Sequence, residues 1–310
     1  MIQSNSMRIL LIGHNGQVGR ELQRTLACLG TVIVVDRSST RYTIDLRDER
    51  SIRSTVEAIK PDLIVNAAAY TAVDKAETDV ATAEAVNAIA PGILAQAAGD
   101  CGAGLVHYST DYVFPGIEKQ PYLEDDEKAP INVYGETKLN GELAIQAVGI
   151  PHLILRTSWV YGVRGKNFLL TMLRLMKERD SFGVVDDQVG SPTQARQIAE
   201  ATAMMIAKST ANNRLSLTNA GGTYHLTNTG ETSWYGFAQK IQEIALRRGI
   251  LSLDSAKIHP IDSDAFRTDA ARPQYSVLNN DKLKQVYDLQ LPEWSQSLDL
   301  CLYSMVVTHI

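Results

Sequence analysis

The sequence predicts an α/β protein in which helices cover both faces of a parallel β-sheet. Three observations point to this fold class. In the first half of the chain, short apolar runs alternate with longer segments whose apolar residues recur at helical spacing. The apolar runs are nearly continuous, as expected of strands that are buried on both faces. The first run ends at a glycine-rich loop that leads directly into a helix, which is typical of doubly wound sheets.

The predicted elements follow in chain order. Strands are expected at residues 8–12, 31–35, 62–65, 104–108 and 152–155, which are short and apolar. Helices are expected at residues 17–29, 48–59, 80–98 and 133–148, where apolar positions recur every three or four residues. Each strand–helix–strand crossover should be right-handed.

After about residue 157 the alternation weakens, which predicts a smaller α/β unit beside the sheet. Helices are expected at 167–178, 194–207, 233–248 and from 292 onwards, with a late strand at 223–227. Residues 188–193 are interpreted as a loop, and 262–273 as irregular. We therefore divide the chain at 157, into 1–157 and 158–310, with segments within about 194–245 returning to the first unit. Residues 1–6 are polar, and we expect them to be disordered.

Composition excludes several classes of protein. The 310 residues carry a net charge of −5, with 45% apolar and 21% charged residues, so a disordered, collagenous or coiled-coil chain is excluded. The charge balance gives no sign of a nucleic-acid or anionic-membrane partner, and no apolar run is long enough to span a bilayer. Cys28, Cys101 and Cys301 are widely spaced, which argues against a disulfide framework or a zinc site and favours the cytoplasm.

The loop after the first strand carries Gly13, Gly16 and Gly19 in the pattern GxxGxxG. In such a loop the glycines allow a tight turn, close approach of a pyrophosphate and close helix–strand packing, while the helix start offers free N–H groups. On glycines alone, a merely tight turn is an equal alternative. Asp36 ends the second strand, where an acid can bind adenosine ribose hydroxyls. The sequence therefore predicts a Rossmann-type NAD(P) site.

Two neighbouring residues bear on the choice of cofactor. The carboxylate of Asp36 should repel a 2′-phosphate, whereas Arg37 could pair with one. We expect NADH to be used and NADPH to be tolerated. Asp45 and Leu46 follow the second strand and could flank the adenine, although Asp45 could also be an N-cap. The small residues 67–69 would let a cofactor run close over the sheet edge, or could simply pack tightly.

The candidate catalytic residues are Tyr134, Lys138 and Thr110. Tyr134 and Lys138 are four residues apart on one predicted helix face. A nearby ammonium stabilises a phenolate and lowers the pKa of the phenol, so that Tyr134 can act as a general acid or base. Thr110 lies at the end of the preceding strand, where ligands bind in doubly wound sheets, and its hydroxyl could bond a substrate carbonyl.

Five segments together carry a family resemblance: the glycine loop, residues 66–69 (NAAA), 109–114 (STDYVF), 134–138 (YGETK) and 156–161 (RTSWVY). With these the chain resembles the extended short-chain dehydrogenases/reductases, and within them the dTDP-4-dehydrorhamnose reductase family. That family completes dTDP-L-rhamnose synthesis for cell-surface polysaccharides by reducing the 4-keto group of dTDP-4-dehydro-β-L-rhamnose with NADPH or NADH. The resemblance runs from about Met7 to near the C-terminus.

The resemblance implies roles for individual residues. It assigns cofactor binding to Gly13, Gly16, Gln17, Val18, Gly19, Asp36, Asp45, Leu46, Ala69, Tyr70, Thr71, Tyr134 and Lys138. It assigns substrate binding to Thr110, Asp111, Trp159 and Arg272. Tyr134 would protonate the sugar O4, Lys138 would bind the nicotinamide ribose and tune Tyr134, and Arg272 would contact the nucleotide diphosphate.

The sequence departs from the family pattern at one point. Some relatives are dimers with a magnesium ion held by acidic residues at the interface, and Glu21 matches one such position. Where a second acid is expected, the chain has Arg196. A cation there opposes a divalent ion, so we expect no bound magnesium and leave monomer and homodimer open.

Other functions remain open at this point. A related 4,6-dehydratase needs a Thr-Asp-Glu run, but the chain has Thr110, Asp111 and Tyr112. Another NDP-4-keto-6-deoxyhexose reductase, or an epimerase that retains NAD, fits the same motifs. A non-catalytic NADP-binding regulatory subunit shares the family resemblance, although the intact Ser109–Asp111 run favours an enzyme.

Overall fold

The structure is a computed structural model that describes residues 6–211, 214–216 and 220–307. Its strands are β1 (Met7–Ile12), β2 (Gly30–Val35), β3 (Leu63–Asn66), β4 (Gly104–Thr110), β5 (His152–Thr157), β6 (Val160–Tyr161), β7 (Ser181–Val185), β8 (Val189–Gly190), β9 (Thr193–Gln194), β10 (Thr210–Ala211), β11 (Arg214–Leu215), β12 (Gly222–His225), β13 (Thr232–Ser233) and β14 (Lys257–Ile261). Its α-helices are α1 (Gln17–Leu26), α2 (Glu49–Ile59), α3 (Val73–Ala76), α4 (Val80–Glu84), α5 (Ala90–Cys101), α6 (Val133–Val148), α7 (Phe168–Glu178), α8 (Ala195–Lys208), α9 (Trp234–Arg247), α10 (Asp281–Tyr287) and α11 (Trp294–Val307).

Six parallel strands form the central sheet in the order β12-β5-β4-β3-β1-β2. The predicted fold class is confirmed, since helices flank this sheet and every strand predicted in the first half belongs to it. From β1 the chain moves outward to β2 and then returns to the other side of β1 with β3. The carboxyl ends of β1 and β3 therefore enclose the crevice in which such sheets bind ligands.

Helix α1 ends at Leu26, three residues earlier than predicted, because the chain must turn before Gly30 pairs with Met7. Helix α6 has the predicted bounds and is capped by Asn132, whose side chain accepts a bond from the N–H of Gly135. The helix predicted at 80–98 consists of α4, a π-helical turn (Ala85–Ile89) and α5. Such turns are frequent at functional sites, and this one carries the buried Asn87.

Parts of the second half of the chain complete the central sheet. Strand β12 pairs with β5, and Ile198 and Met205 of α8 share an apolar core with Leu22 and Leu26 of α1. A separate core joins α7, α9, α11 and β7 around Tyr161 and Phe237. The smaller unit thus has its own apolar interior, while β12 belongs to the central sheet and α8 packs on α1.

Residues 188–193 are more regular than expected. The loop interpretation of residues 188–193 is wrong in part, because β8 lies in it and pairs with β13 in a separate two-stranded sheet. The predicted disorder of residues 1–6 falls, apart from Ser6, outside the described residues. No helix in the described part of the chain is both long and apolar enough to cross a membrane.

Candidate active site

The glycine loop is shaped by close backbone contacts. Gly13 has a φ of 82°, and a Cβ on it would lie 2.5 Å from the amide nitrogen of Ala68. A Cβ on Gly19 would lie 2.1 Å from the carbonyl oxygen of Gly13. The N-cap of α1 is Gly16, which offers no side-chain capping bond to the helix start. The N–H groups of Gln17 and Val18 at this helix start fit a pyrophosphate group.

Asp36 follows β2 and faces the glycine loop. Its Oδ2 accepts a hydrogen bond of 2.9 Å from Nδ2 of Asn15, and its Oδ1 accepts bonds from Ser38 and Ser39. The bonds from Ser38 and Ser39 lower the pKa of this carboxyl to about 2, so it is ionised at neutral pH. An anion at this point disfavours a phosphate on the neighbouring ribose.

Asp45 and Leu46, which were expected to flank the adenine, both contact other residues of the protein. The carboxylate of Asp45 binds the guanidinium of Arg47 through two bonds of 3.0 and 2.6 Å. These contacts hold the pKa of Asp45 at about 2. Leu46 is buried and packs in the apolar core beneath α2. The N-cap of α2 is Asp48 and not Asp45, so the alternative reading of Asp45 as that cap is wrong.

The segment after β3 is fixed by Asn87 from the π-helical turn. The Oδ1 of Asn87 accepts a 2.8 Å bond from the N–H of Tyr70, and its Nδ2 donates to the carbonyl of Tyr70. The hydroxyl of Tyr70 donates to Asp79, and Thr71 is exposed. Ala69 is partly exposed beside them. The small side chains of Ala69 and Thr71 thus remain accessible, while Asn87 holds the backbone of Tyr70 in place.

Polar side chains gather where β4 ends. Thr110 accepts a bond from the N–H of Tyr112 and donates a 3.0 Å bond to Oδ1 of Asp111. The Thr110 hydroxyl also lies close enough to Tyr134 to lower the pKa of its phenol. The Oδ2 of Asp111 and the hydroxyl of Ser109 are buried without a hydrogen-bond partner. Because buried polar atoms are normally paired, these two atoms are suited to bind a polar ligand.

Burial raises the pKa of Asp111 from its ordinary 3.8 to about 6. Ionisation of Asp111 in the folded protein therefore lowers the free energy of unfolding, by up to about 3 kcal/mol above pH 6. This loss fades towards pH 4, because the carboxyl is then protonated in both the folded and the unfolded protein. We expect Asp111→Asn to stabilise the protein more at pH 8 than at pH 5. Urea unfolding at both pH values measures this difference. Asp264→Asn, at an exposed site, is the control. An Asp111→Asn effect that is the same at both pH values would contradict the assignment.

The relation between Tyr134 and Lys138 differs from the expectation. The expected lowering of the Tyr134 pKa is wrong for this structure, because burial raises the pKa of Tyr134 and Thr110 only partly offsets this. The Nζ of Lys138 instead donates to the carbonyl of Tyr108 and lies 3.0 Å from Nε2 of His107. The Lys138 side chain is thus directed towards β4, and the raised pKa keeps Tyr134 a neutral phenol at neutral pH.

Trp159 forms a flat aromatic wall in the second unit. Its ring stacks on Trp234 with 3.4 Å between centroids and 5° between planes. It has a φ of 45°, a strained conformation for a bulky residue that is found mainly at functional sites. A Cβ on Gly190 would lie 2.5 Å from the Trp159 ring, so only glycine fits beneath it.

Arg272 lies near Tyr134 and contacts it through Tyr112. Its Nη1 lies 3.2 Å from the hydroxyl of Tyr112, whose ring packs edge-on against Tyr134 with centroids 5.7 Å apart. Its Nη2 donates a 2.8 Å bond to Asp74. The guanidinium is therefore bound to protein groups, and contact with a diphosphate stays a prediction.

A buried ion pair joins α6 to β5. Both carboxylate oxygens of Glu142 on α6 accept bonds from Arg156 on β5, at 2.9 and 2.6 Å. Arg156 also donates to the carbonyl of Glu124. The pair fixes α6 against the sheet, and with it the two catalytic candidates on that helix.

Glu21 and Arg196 line one cavity of about 750 Å³. Each has its own charged partner, since Arg24 lies 3.3 Å from Glu21 and Arg196 lies 3.0 Å from Glu200. Within the described ranges, no three His, Cys, Asp or Glu side chains are grouped so that they could hold a metal ion.

Sequence reasoning missed several residues of this site. His107, Asn87, Trp234 and Ser276 were not singled out, although Ser276 lies close enough to Asp111 to lower the pKa of its carboxyl. A histidine within an otherwise apolar strand and an asparagine within an alanine-rich helix were available signals. Trp234 and Ser276 gave no signal in the sequence, because their contacts join segments that are far apart in the chain.

The comparisons with known proteins agree with this geometry. Residues 7–307 match the model of the RmlD substrate binding domain family. The dTDP-4-dehydrorhamnose reductase of Escherichia coli K12 is 46% identical, over 97% of this chain and 99% of that protein. A crystal structure of a dTDP-4-dehydrorhamnose reductase from Clostridium acetobutylicum has 38% identity and a TM-score of 0.87, covering 97% of this chain and 100% of that chain.

A Bacillus anthracis dTDP-4-dehydrorhamnose reductase solved in complex with NADP is 36% identical with a TM-score of 0.84, covering 96% of this chain and 99% of that chain. These matches extend over nearly the whole chain and include the segments that form the crevice. The chain is therefore an oxidoreductase that belongs to the dTDP-4-dehydrorhamnose reductase family.

Proposed function

We propose that this chain reduces the 4-keto group of dTDP-4-dehydro-β-L-rhamnose to give dTDP-L-rhamnose, with Tyr134 as the proton donor. The observation that carries the proposal is the group formed by Tyr134, Thr110 and Asp111, with an unpartnered buried oxygen, at the carboxyl end of β4. The names of the relatives support the sugar nucleotide as substrate.

NADPH or NADH supplies the hydride when bound. The residues that would hold the cofactor are those of the glycine loop, where Gln17 and Val18 offer backbone N–H groups to the pyrophosphate. Asp36 would accept hydrogen bonds from the adenosine ribose hydroxyls, and Lys138 would bind the nicotinamide ribose. The relative solved with NADP supports a nicotinamide cofactor, and the ionised Asp36 supports use of NADH.

The chain's own residues act on the sugar. The raised pKa keeps Tyr134 protonated at neutral pH, so its proton is available. As the carbonyl becomes an alkoxide, its oxygen becomes a stronger base than a phenolate, and the proton passes from Tyr134 to O4. Thr110 and Asp111 would bind sugar oxygens, and the stacked Trp159 would exclude water from one side.

The test is to supply dTDP-4-dehydro-β-L-rhamnose with NADH or NADPH and to identify the product sugar. We expect oxidation of one equivalent of cofactor for each dTDP-L-rhamnose formed. Formation of the C4 epimer would instead identify a different 4-keto sugar reductase. Stoichiometric NAD that remains bound through purification, with no NADH consumed, would identify an epimerase.

We further infer where and in what form the enzyme works. Cys28, Cys101 and Cys301 are free thiols, which supports a reducing compartment, the cytoplasm. The paired Arg196 beside Glu21 argues against a magnesium-bridged dimer, so we expect a monomer or a homodimer with a different contact. Light scattering with and without a chelator measures this directly.

A further inference from the structure

A chain of buried polar groups runs from the end of β3 to Lys138. The N–H of Ala68 donates to Oδ1 of Asn66 at 3.2 Å, and Nδ2 of Asn66 lies 3.1 Å from Nδ1 of His107. On the other side of the ring, Nε2 of His107 lies 3.0 Å from Nζ of Lys138. Asn66, His107 and Lys138 are each at most 1% exposed, so these groups depend on one another for hydrogen bonds.

Counting donors and acceptors fixes the direction of every bond. The N–H of Ala68 is a donor, so the group of Asn66 that faces it must be the carbonyl oxygen. The amide nitrogen of Asn66 then donates to Nδ1 of His107, which must carry a lone pair. In a neutral imidazole the proton is consequently on Nε2, and it points at Lys138.

An ammonium group has three donors and no acceptor, so it cannot receive this N–H. A neutral amine can accept it with its lone pair while donating one of its own hydrogens to the carbonyl of Tyr108. The bond pattern is thus complete only when Lys138 is uncharged and His107 carries its proton on Nε2.

We infer that His107 is a positioning residue for the reaction, which holds Lys138 against β4 and favours the uncharged amine by donating its Nε2–H to Nζ. Burial acts in the same direction, since it lowers the pKa of Lys138 to about 8 and lowers that of His107 well below 6.5. The inference rests on the proposed function only for its kinetic consequence.

Other charged groups near Lys138 do not reverse the preference for the uncharged amine. On its own helix, Glu142 raises the pKa of Lys138, but both oxygens of Glu142 are bound by Arg156 from β5. Other polar groups near this stretch of α6 are Asn87 from the π-helical turn, Asp111 after β4 and, on α6 itself, Tyr134.

The first experiment measures the tautomer directly in purified wild-type protein. With ¹⁵N-labelled histidine, we expect the spectrum at pH 8 to show His107 protonated on Nε2 and bare on Nδ1. The His107→Gln variant identifies the signal by its loss. A proton on Nδ1, or on both nitrogens, would overturn the inference, whether or not the variant folds and whether or not the protein reduces the sugar.

The second experiment titrates Lys138. A glutamine carbonyl at position 107 would accept a bond from the ammonium, so His107→Gln should raise the Lys138 pKa by about one pH unit. Lysine ¹³Cε shifts measure this, with Lys138→Met to assign the signal and His259→Gln as an exposed histidine control. An unchanged or lower Lys138 pKa would overturn the inference.

The pH dependence of kcat/KM should report the titration of Lys138 as well. If ammonium Lys138 binds the ribose and supports Tyr134, kcat/KM should fall as pH rises through the Lys138 pKa. In His107→Gln this basic limb should move to higher pH by the same shift that the titration shows. A variant that loses activity equally at every pH has lost structure only, and that result would contradict the positioning role.

Discussion

Tyr134→Phe is expected to lower kcat for sugar reduction by about 100-fold to 10,000-fold, because the variant lacks the proton that the O4 alkoxide takes up. Binding of NAD(P)H should survive, since the glycine loop and Asp36, which would hold the pyrophosphate and the adenosine ribose, are unaltered in this variant. Stopped-flow reduction with dTDP-4-dehydro-β-L-rhamnose gives the rate, and fluorescence titration gives the cofactor affinity.

Tyr303→Phe is the matched control. Tyr303 lies on α11 and is 53% exposed, so removal of its hydroxyl should change neither quantity. If Tyr134→Phe turned over the sugar at the wild-type rate, the assigned proton donor would be wrong, and another acid in the crevice, such as protonated Asp111, would have to supply the proton.

Arg156→Met is expected to lower the free energy of unfolding by about 3 to 5 kcal/mol, because it leaves the carboxylate of Glu142 buried without its cation. Both side chains are at most 2% exposed, so water cannot replace the lost partner. The hydrogen bond to the carbonyl of Glu124 is lost as well. Chemical denaturation at pH 7 measures the change.

Arg174→Met is the control for an ion pair of similar length. Arg174 and Glu178 lie 2.7 Å apart but are 58% and 55% exposed, so their loss should cost less than about 1 kcal/mol. The double variant Glu142→Leu/Arg156→Met should recover much of the stability, since no unpaired charge remains. Equal losses for Arg156→Met and Arg174→Met would show that burial of the first pair carries no penalty.

The fold was predictable because its signals are local. The apolar runs and helical spacings of the first half correspond to β1–β5 and to α1, α2, α5 and α6, with differences of a few residues at their ends. The end of α1 was misplaced since Gly30 has to reach Met7, a contact between segments that the local pattern does not contain. In the second half, β8 was missed because two residues give no periodicity.

The candidate site was predictable where a motif has fixed spacing. Glycine is required at positions 13 and 19, because a Cβ there would collide with nearby backbone atoms. The spacing of these glycines can be read directly from the sequence. Tyr134 and Lys138 were found in the same way, but the expected lowering of the Tyr134 pKa by the ammonium is wrong for this structure. Helical spacing places two side chains on one face, whereas the partners of a long side chain depend on what else is buried beside it.

From the sequence alone follow the parallel sheet, the nucleotide loop and the identity of the phenol, since each depends on residues close together in the chain. Only the tertiary structure decides that Lys138 turns to His107, that Trp159 stacks on Trp234 and that burial raises the pKa of Asp111 to about 6. The physical reason is that hydrogen-bond direction, stacking and the pKa of a buried group are set by neighbours brought together from distant segments.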